Sequence, residues 1–267
     1  MNIVETKNLQ KKLRLKLLEM YFKANAGHIG CSLSCIDILI SVFFNFKKKE
    51  DVFILSKGHA AVALYCCLNE IGEISDDELN TFYKDGTKLP AHPAPNSFES
   101  IPFATGSLGH GFPLAAGIAK AKKIKNEKSF VYVLISDGDT NEGTTWETAH
   151  FASKHELNNL IVIIDKNKIQ GFDRTDNVLG DTAKKEKWIE MGFEVKEIAD
   201  GHDISEISNS IDFLKKIKNN KPKMLIANTI KGKGVSYMEN TIDWHYWPMN
   251  ENQYNQAIQE INEKYNA

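Results

Sequence analysis

Apolar residues recur at helical spacing early in the chain. Within residues 8–23, leucine and methionine side chains fall on one face and lysines on the other, which predicts an amphipathic helix. A second helix is expected over 34–44, with Ser34 as its cap, and a third over 56–71. The first part of the chain is therefore expected to be mainly helical.

From residue 113 onward, helical segments alternate with short, unbroken apolar runs. The runs are too apolar and β-branched for surface elements, so we expect them to be strands covered on both faces. This alternation predicts an α/β fold in one domain, residues 1–267, with a mostly parallel sheet and helices on both faces. The expected helices are 113–123, 145–155 and 204–217, and the expected strands are 130–135, 160–164, 193–198 and 224–229.

Composition narrows the functional classes. The 267 residues carry 33 Lys and Arg against 35 Asp and Glu, so the formal charge of −2 argues against a general nucleic-acid binder. The apolar run 36–44 is interrupted by polar residues and is too short to span a bilayer. The first 25 residues show no signal peptide. We therefore expect a cytoplasmic protein that binds neither nucleic acid nor membrane.

The cysteine pattern agrees with a reducing compartment. The spacing fits neither a CxxC redox pair nor a zinc site, so packed, reduced thiols are expected at Cys31, Cys35, Cys66 and Cys67.

A long irregular segment, 85–107, is rich in proline. So long a loop inside a compact domain usually serves a function. It is a first candidate for part of a binding site.

Polar clusters follow two of the predicted strands. Asp137-Gly138 comes after the first strand, and Asn167 follows the second. Ligands gather beyond the carboxyl ends of parallel strands, and carboxylate and amide oxygens suit Mg²⁺ or Ca²⁺. Gly138 permits close backbone approach, and the helix expected from Thr144 can direct N–H groups at an anion. An isolated Asp-Gly is most often a turn, but the combination predicts a metal-bridged diphosphate site.

The run from Asp137-Gly138 to Asn167, thirty residues later, resembles the thiamine diphosphate motif, and nearly the whole chain resembles the amino-terminal half of a transketolase. Five further motifs, the last of them made of two segments, resemble those of the family and follow the family's order. They are Ala24-Asn25-Ala26-Gly27-His28-Ile29-Gly30, Ser56-Lys57-Gly58-His59, Ala91-His92-Pro93, Thr105-Gly106-Ser107-Leu108-Gly109-His110-Gly111, and the closing pair Lys231-Gly232-Lys233-Gly234 and Trp244-His245-Tyr246-Trp247-Pro248.

The chain departs from the family pattern at three places. Ile29 stands where proline is common, and Ser136 replaces the first glycine of the usual Gly-Asp-Gly. Tyr246-Trp247 replace the residues common after the last histidine, which leaves the choice of substrate open.

The resemblance implies residue roles for a cofactor site. Asp137, the side chain of Asn167 and the carbonyl of Ile169 are expected to ligate Mg²⁺, with Ca²⁺ as a possible substitute. Glu142 is expected to organise the site and its link to a partner subunit. The remaining cofactor contacts are expected at His59 and Gly138 on the diphosphate, at Gly106 and Leu108, and at His245.

Catalytic roles are implied for His28, His59, His92 and His245, with His59 near the reacting carbon and the others facing the sugar. Neutral imidazole offers sugar hydroxyls one donor and one acceptor. The other histidines, including His202, are interpreted as packed or solvated residues, and 200–203 as the cap of the following helix.

A full transketolase also needs a pyrimidine-binding domain, for which 267 residues leave no room. We therefore expect one half of a split transketolase that works with a separately encoded partner, in an assembly of two chains of each kind. With thiamine diphosphate and Mg²⁺ it would move a two-carbon ketol unit from a ketose to an aldose, usually phosphorylated. The alternatives are a transketolase for specialised or surface sugars, a deoxyxylulose-phosphate-synthase-like or oxo-acid enzyme, and a non-catalytic assembly subunit.

Overall fold

The computed structural model describes residues 2–266 and centres on a five-stranded sheet of order β1-β2-β3-β5-β4. Every neighbouring pair of strands is parallel, which confirms the predicted α/β fold. The strands are β1 (Val52–Leu55), β2 (Val131–Ser136), β3 (Leu160–Lys166), β4 (Glu194–Ile198) and β5 (Lys223–Asn228). The edge strand β1 has only four residues and was not predicted.

Helices cover both faces of the sheet. They are α1 (Ile3–Ala24), α2 (Ile29–Ser41), α3 (Ala61–Glu70), α4 (Asp76–Leu79), α5 (Gly111–Ile124), α6 (Gly143–Lys154), α7 (Thr175–Val178), α8 (Lys185–Glu190), α9 (Ile204–Lys216) and α10 (Glu251–Lys264). The short α4, α7 and α8 and the terminal α10 were not predicted.

Alternate residues of β2 enter two separate apolar cores. Tyr132 and Leu134 pack with α1, α2, α3, α9 and α10, whereas Val131 and Val133 pack with α5, α6 and α8. A strand buried on both sides needs apolar residues at every position. Burial on both faces is therefore the reason why β2 is an unbroken apolar run in the sequence.

The second helix begins earlier than predicted. It starts at Ile29, directly after His28, whose backbone is left-handed (φ 76°). Ser34 is not the cap; it lies inside the helix and donates a hydrogen bond to the carbonyl of Cys31. The segment Ile29–Phe46 is as long and apolar as a membrane span, yet 83% of it is buried inside the protein.

A buried charged network joins α1 to α2. Arg14 donates to both oxygens of Asp37, at 2.9 and 2.5 Å. The Nε2 atom of His202 accepts from the N–H of Ile230, so its Nδ1 is the donor to Asp37, at 2.9 Å. His202 is therefore a packed residue, as interpreted, and Asp203 caps α9.

All four cysteines are buried free thiols in the described part of the chain. This agrees with the interpretation of their spacing.

Candidate functional site

A cavity of about 270 Å³ lies beyond the carboxyl ends of β2 and β3. Loops after β1, β2 and β3 reach it, together with the segments around His28, His92 and His245. Its lining includes every predicted site residue except Glu142: His28, His59, His92, Gly106, Leu108, Asp137, Gly138, Asn167, Ile169 and His245. Residues up to 217 positions apart in the sequence therefore share one cavity.

Glu142 lies outside the lining, exposed at the start of α6. Its carbon atoms pack close to Gly109 of the glycine loop. Its role toward cofactor and partner stays a prediction.

The four histidines form a cluster around His28. Its ring centroid lies 5.7 Å from that of His59, 5.6 Å from that of His92 and 5.2 Å from that of His245. The His28 N–H donates to the carbonyl of His245 at 2.9 Å, which ties the start of α2 to the C-terminal loop. The unusual backbone of His28 thus places its side chain at the centre of the cluster.

Burial keeps these rings neutral. It lowers the pKa of His28 to about 4, with further lowering by His245 and His92. Burial likewise lowers the pKa of His59 to about 4, and burial with the charge of Lys231 lowers that of His245 to about 3. At neutral pH the cavity therefore presents imidazoles that can both donate and accept hydrogen bonds.

Asp137 is a buried carboxylate with one unused oxygen. Its Oδ2 accepts from the N–H of Lys168 at 2.6 Å and from Thr175 Oγ1 at 3.0 Å. Within residues 2–266 no donor reaches Oδ1. Burial, reinforced by the nearby charge of Asp165, raises the pKa of Asp137 to about 6. A cation beside this group would stabilise the ionised form.

The donor set matches a hard metal ion. Asn167 and Ile169 line the same cavity and add an amide and a backbone carbonyl to the carboxylate of Asp137. No cluster of three His, Cys, Asp or Glu that could hold a metal is found between residues 2 and 266. The predicted set of metal ligands is of a different kind, because Asp137 is its only member of those four residue types. Carboxylate, amide and carbonyl oxygens are donors that fit Mg²⁺.

Two closely packed glycines and an unpaired donor form part of the cavity wall. A methyl group on Gly138 would lie 3.1 Å from Leu108 Cδ1, and one on Gly106 (φ 149°) would lie 2.7 Å from His92 Cδ2. The Nε2 atom of Gln170 is buried without a hydrogen-bond partner. These features fit thiamine diphosphate, because a ligand acceptor would satisfy that donor.

Sequence reasoning missed a buried ion pair beneath the site. Lys57 pairs with Asp165, and both side chains are fully buried. Asp165 also accepts from Ser34 at 2.6 Å and from the amide of Asn167 at 3.3 Å. Because the same carboxylate contacts Lys57 and Asn167, it positions a predicted metal ligand. The available signal was a charged residue at the end of an apolar strand.

Asp139 is a second missed residue and joins three loops. Its Oδ1 accepts from Ser56 at 2.7 Å and from the N–H of Gly109 at 2.8 Å, while its Oδ2 accepts from Ser136. Ser136, which departs from the family pattern, thus donates to Asp139 from its backbone N–H and from its hydroxyl. A glycine would keep the first hydrogen bond and lose the second.

Lys231 lies under the cavity floor. Its ammonium donates to the carbonyls of Ile169 and Gln170, at 3.4 and 3.2 Å, and its side chain is buried. The sequence motif that contains Lys231 does not by itself indicate this role.

The parallel α/β sheet carries a histidine-lined cavity at its carboxyl edge. An available carboxylate oxygen and an unpaired buried donor there would suit a metal-linked, phosphate-bearing cofactor. Residues 5–265 match the family model described as transketolase, thiamine diphosphate binding domain. The chain belongs to this family.

Relatives include split and full-length enzymes. The chain is 36% identical over 270 residues to an apulose-4-phosphate transketolase subunit of Actinobacillus succinogenes, with 97% of each chain covered. It is 34% identical over 258 residues to the 6-deoxy-6-sulfo-D-fructose transketolase subunit SqwG of a Clostridium species, with 93% of each covered. The transketolase structure from Campylobacter jejuni matches with a TM-score of 0.89 and 32% identity, over 98% of this chain but only 43% of that one.

Proposed function

We propose that this chain is the thiamine-diphosphate-binding subunit of a two-chain transketolase, which moves a two-carbon ketol unit from a ketose to an aldose. One observation carries the proposal. Four histidines from distant parts of the sequence meet in the cavity that also contains Asp137 and Asn167. A purely structural role does not require this convergence of polar groups.

The cofactor is proposed to bind at the sheet edge. Mg²⁺, or Ca²⁺ in its place, would be held by Asp137, Asn167 and the carbonyl of Ile169, and Gly138 and His59 would contact the diphosphate. Thiamine diphosphate would supply the carbanion-stabilising chemistry when bound.

The chain's own contribution is to orient the sugar and handle protons. His28, His92 and His245 are neutral at pH 7. His28 and His92 can each donate one hydrogen bond to a sugar hydroxyl and accept another, whereas His245, whose Nδ1 accepts from Lys231, can only donate from Nε2. Neutral imidazole can also take up or release a proton during transfer.

A separate partner subunit is part of the proposal. The relative from Actinobacillus succinogenes is named as one subunit of its enzyme and is covered almost completely, whereas the Campylobacter jejuni chain is covered by less than half. We propose that the partner supplies the pyrimidine-binding domain and that two chains of each kind assemble, in the cytoplasm.

Specialised sugars are the favoured alternative substrates. The names of two relatives specify apulose 4-phosphate and a sulfonated deoxyfructose. Tyr246 at the cavity is also unlike the family pattern. A non-catalytic assembly subunit is less well supported, because the buried carboxylate, the unpaired donor and the neutral histidines are all retained.

The test compares the chain alone with the reconstituted complex. The chain and its candidate partner are purified separately and assayed with Mg²⁺, thiamine diphosphate and ketose–aldose pairs. Ketol transfer that requires mixing is expected. Turnover by the lone chain would contradict the two-chain proposal, and a complex that binds the cofactor without any transfer would favour the non-catalytic alternative.

A further inference from the structure

Tyr246 lies at the mouth of the cavity. It directly follows His245, and its side chain lines the same cavity although the residue remains 57% exposed. Its ring centroid is 4.6 Å from that of His245 and 6.1 Å from that of His28. A ligand that reaches the histidines from solvent therefore passes beside this phenol ring.

The opposite wall leaves space for this side chain. A methyl group on Gly171 would overlap the hydroxyl of Tyr246, and one on Gly27 would overlap its backbone carbonyl. Neither glycine has a positive φ, so backbone conformation does not require glycine at either position. The phenol of Tyr246 crosses toward Gly171 and narrows the mouth.

The mouth is aromatic, whereas the cavity floor is polar. Phe172, next to Gly171, also lines the cavity and is 71% exposed. Aromatic rings at the entrance can pack against the C–H faces of a sugar whose hydroxyls contact the histidines. A side chain that crosses such an entrance limits the size of the substrate.

We propose that Tyr246 is a specificity-determining residue that limits the length of the aldose accepted by this enzyme, an inference that rests on the proposed ketol transfer. Its ring would contact the part of the sugar remote from the reacting carbonyl. Removing it should favour longer aldoses over short ones, because a short aldose does not reach the mouth. The ring volume, more than the hydroxyl, is expected to set this limit.

The experiment uses the complete complex with its partner subunit, Mg²⁺ and thiamine diphosphate. Hydroxypyruvate serves as a fixed donor, with glycolaldehyde as the short acceptor and ribose as the long one. In Tyr246→Gly, the kcat/KM ratio of ribose to glycolaldehyde should rise by about ten-fold or more, the scale on which pocket contacts discriminate. Tyr246→Phe, which keeps the ring, should hold the ratio within about three-fold of the parent value.

A neighbouring variant is the matched control. Trp247 is exposed and does not line the cavity, so Trp247→Gly should leave the ratio unchanged. Calorimetry of thiamine diphosphate binding and the unfolding temperature should also be unchanged in Tyr246→Gly, which separates selectivity from damage to the fold or cofactor site.

The outcomes separate the two proposals. A parent complex without ketol transfer overturns the proposed function. An active parent complex whose acceptor ratio is the same in Tyr246→Gly overturns the role of Tyr246 alone. If Tyr246→Phe shifts the ratio as far as Tyr246→Gly, size control by the ring is wrong.

Discussion

Lys231 donates a hydrogen bond from Nζ to Nδ1 of His245 over 2.8 Å. An ammonium group can only donate, so Nδ1 is the acceptor and the ring proton is on Nε2. The Nε2 atom faces the Gly171 side of the cavity. This single contact therefore selects one tautomer of His245 and directs its N–H toward the substrate space.

Replacing Lys231 by Met should raise the pKa of His245 toward its ordinary value, because a nearby positive charge is lost while burial remains. The carbonyls of Ile169 and Gln170 also lose a donor, which costs about 1–3 kcal/mol. Burial lowers the pKa of Lys231, so its charge disfavours the folded state, and the free energy of unfolding should fall by less than that cost. NMR titration of His245 and urea unfolding measure the two effects. Lys233→Met, in the same segment but partly exposed, is the control; an equal shift of His245 there would rule out a specific role of Lys231.

Asp137→Asn should lower the affinity for thiamine diphosphate in the presence of Mg²⁺ by about ten-fold or more, as the anionic ligand is lost (about 1.4 kcal/mol per ten-fold). The folded chain without metal should be at least as stable as the parent, because the raised pKa of Asp137 means that its charge disfavours the folded state. Calorimetry and urea unfolding give the two values. Asp176→Asn, at an exposed position of α7, should change neither. Unchanged affinity in correctly folded Asp137→Asn would exclude the metal assignment.

His92→Ala should separate function from folding. His92 is partly buried in an irregular loop, so its removal should change the free energy of unfolding by no more than about 1 kcal/mol. Ketol transfer by the complex should fall about ten-fold or more, as expected when a group that handles protons or hydrogen bonds is lost. Steady-state kinetics and thermal unfolding check both values. Normal turnover, or a variant that does not fold, would contradict this assignment.

Stability should fall as the pH decreases from about 6.5 to about 5, the range in which unfolded histidines take up protons. His28, His59 and His245 have folded pKa values below 6.5, so they stay neutral in the folded chain while the unfolded chain binds protons. The raised pKa of Asp137 acts in the opposite direction, because the folded chain takes up a proton there at a higher pH than the unfolded chain. The three histidines outweigh this single carboxyl group. Urea midpoints across this range measure the slope, and His245→Asn should reduce it. A flat profile would show that the rings are not held neutral.

The apolar runs revealed most of the sheet because β2 and β3 are buried on both faces. The polar residues that end these strands then had to meet at one edge, which is why Asp137 and Asn167 could be placed together. The four-residue β1 carries too little pattern to be distinguished from the start of a helix.

Other parts of the site depend on the finished fold. Lys57 and Asp165 are 108 residues apart. Lys57 follows β1 and Asp165 lies in β3, with β2 between those strands, so only the assembled sheet brings the two side chains into contact. The left-handed backbone of His28 has no local sequence signal, since glycine or asparagine is usual there. For the same reason, the start of α2 was misplaced and Ser34 was interpreted as a cap.

The hydrogen bonds of Asp139 have a consequence for the rate of the proposed assembly with a partner subunit. Because one buried carboxylate ties the loops of Ser56 and Gly109 to the end of β2 at Ser136, this side of the cavity is ordered before anything binds to it. An incoming chain or cofactor then loses little affinity to the ordering of loops. The rate at which the complete cavity forms should then be limited by encounter in the right orientation. Slow loop closure on this half of the site should not limit it.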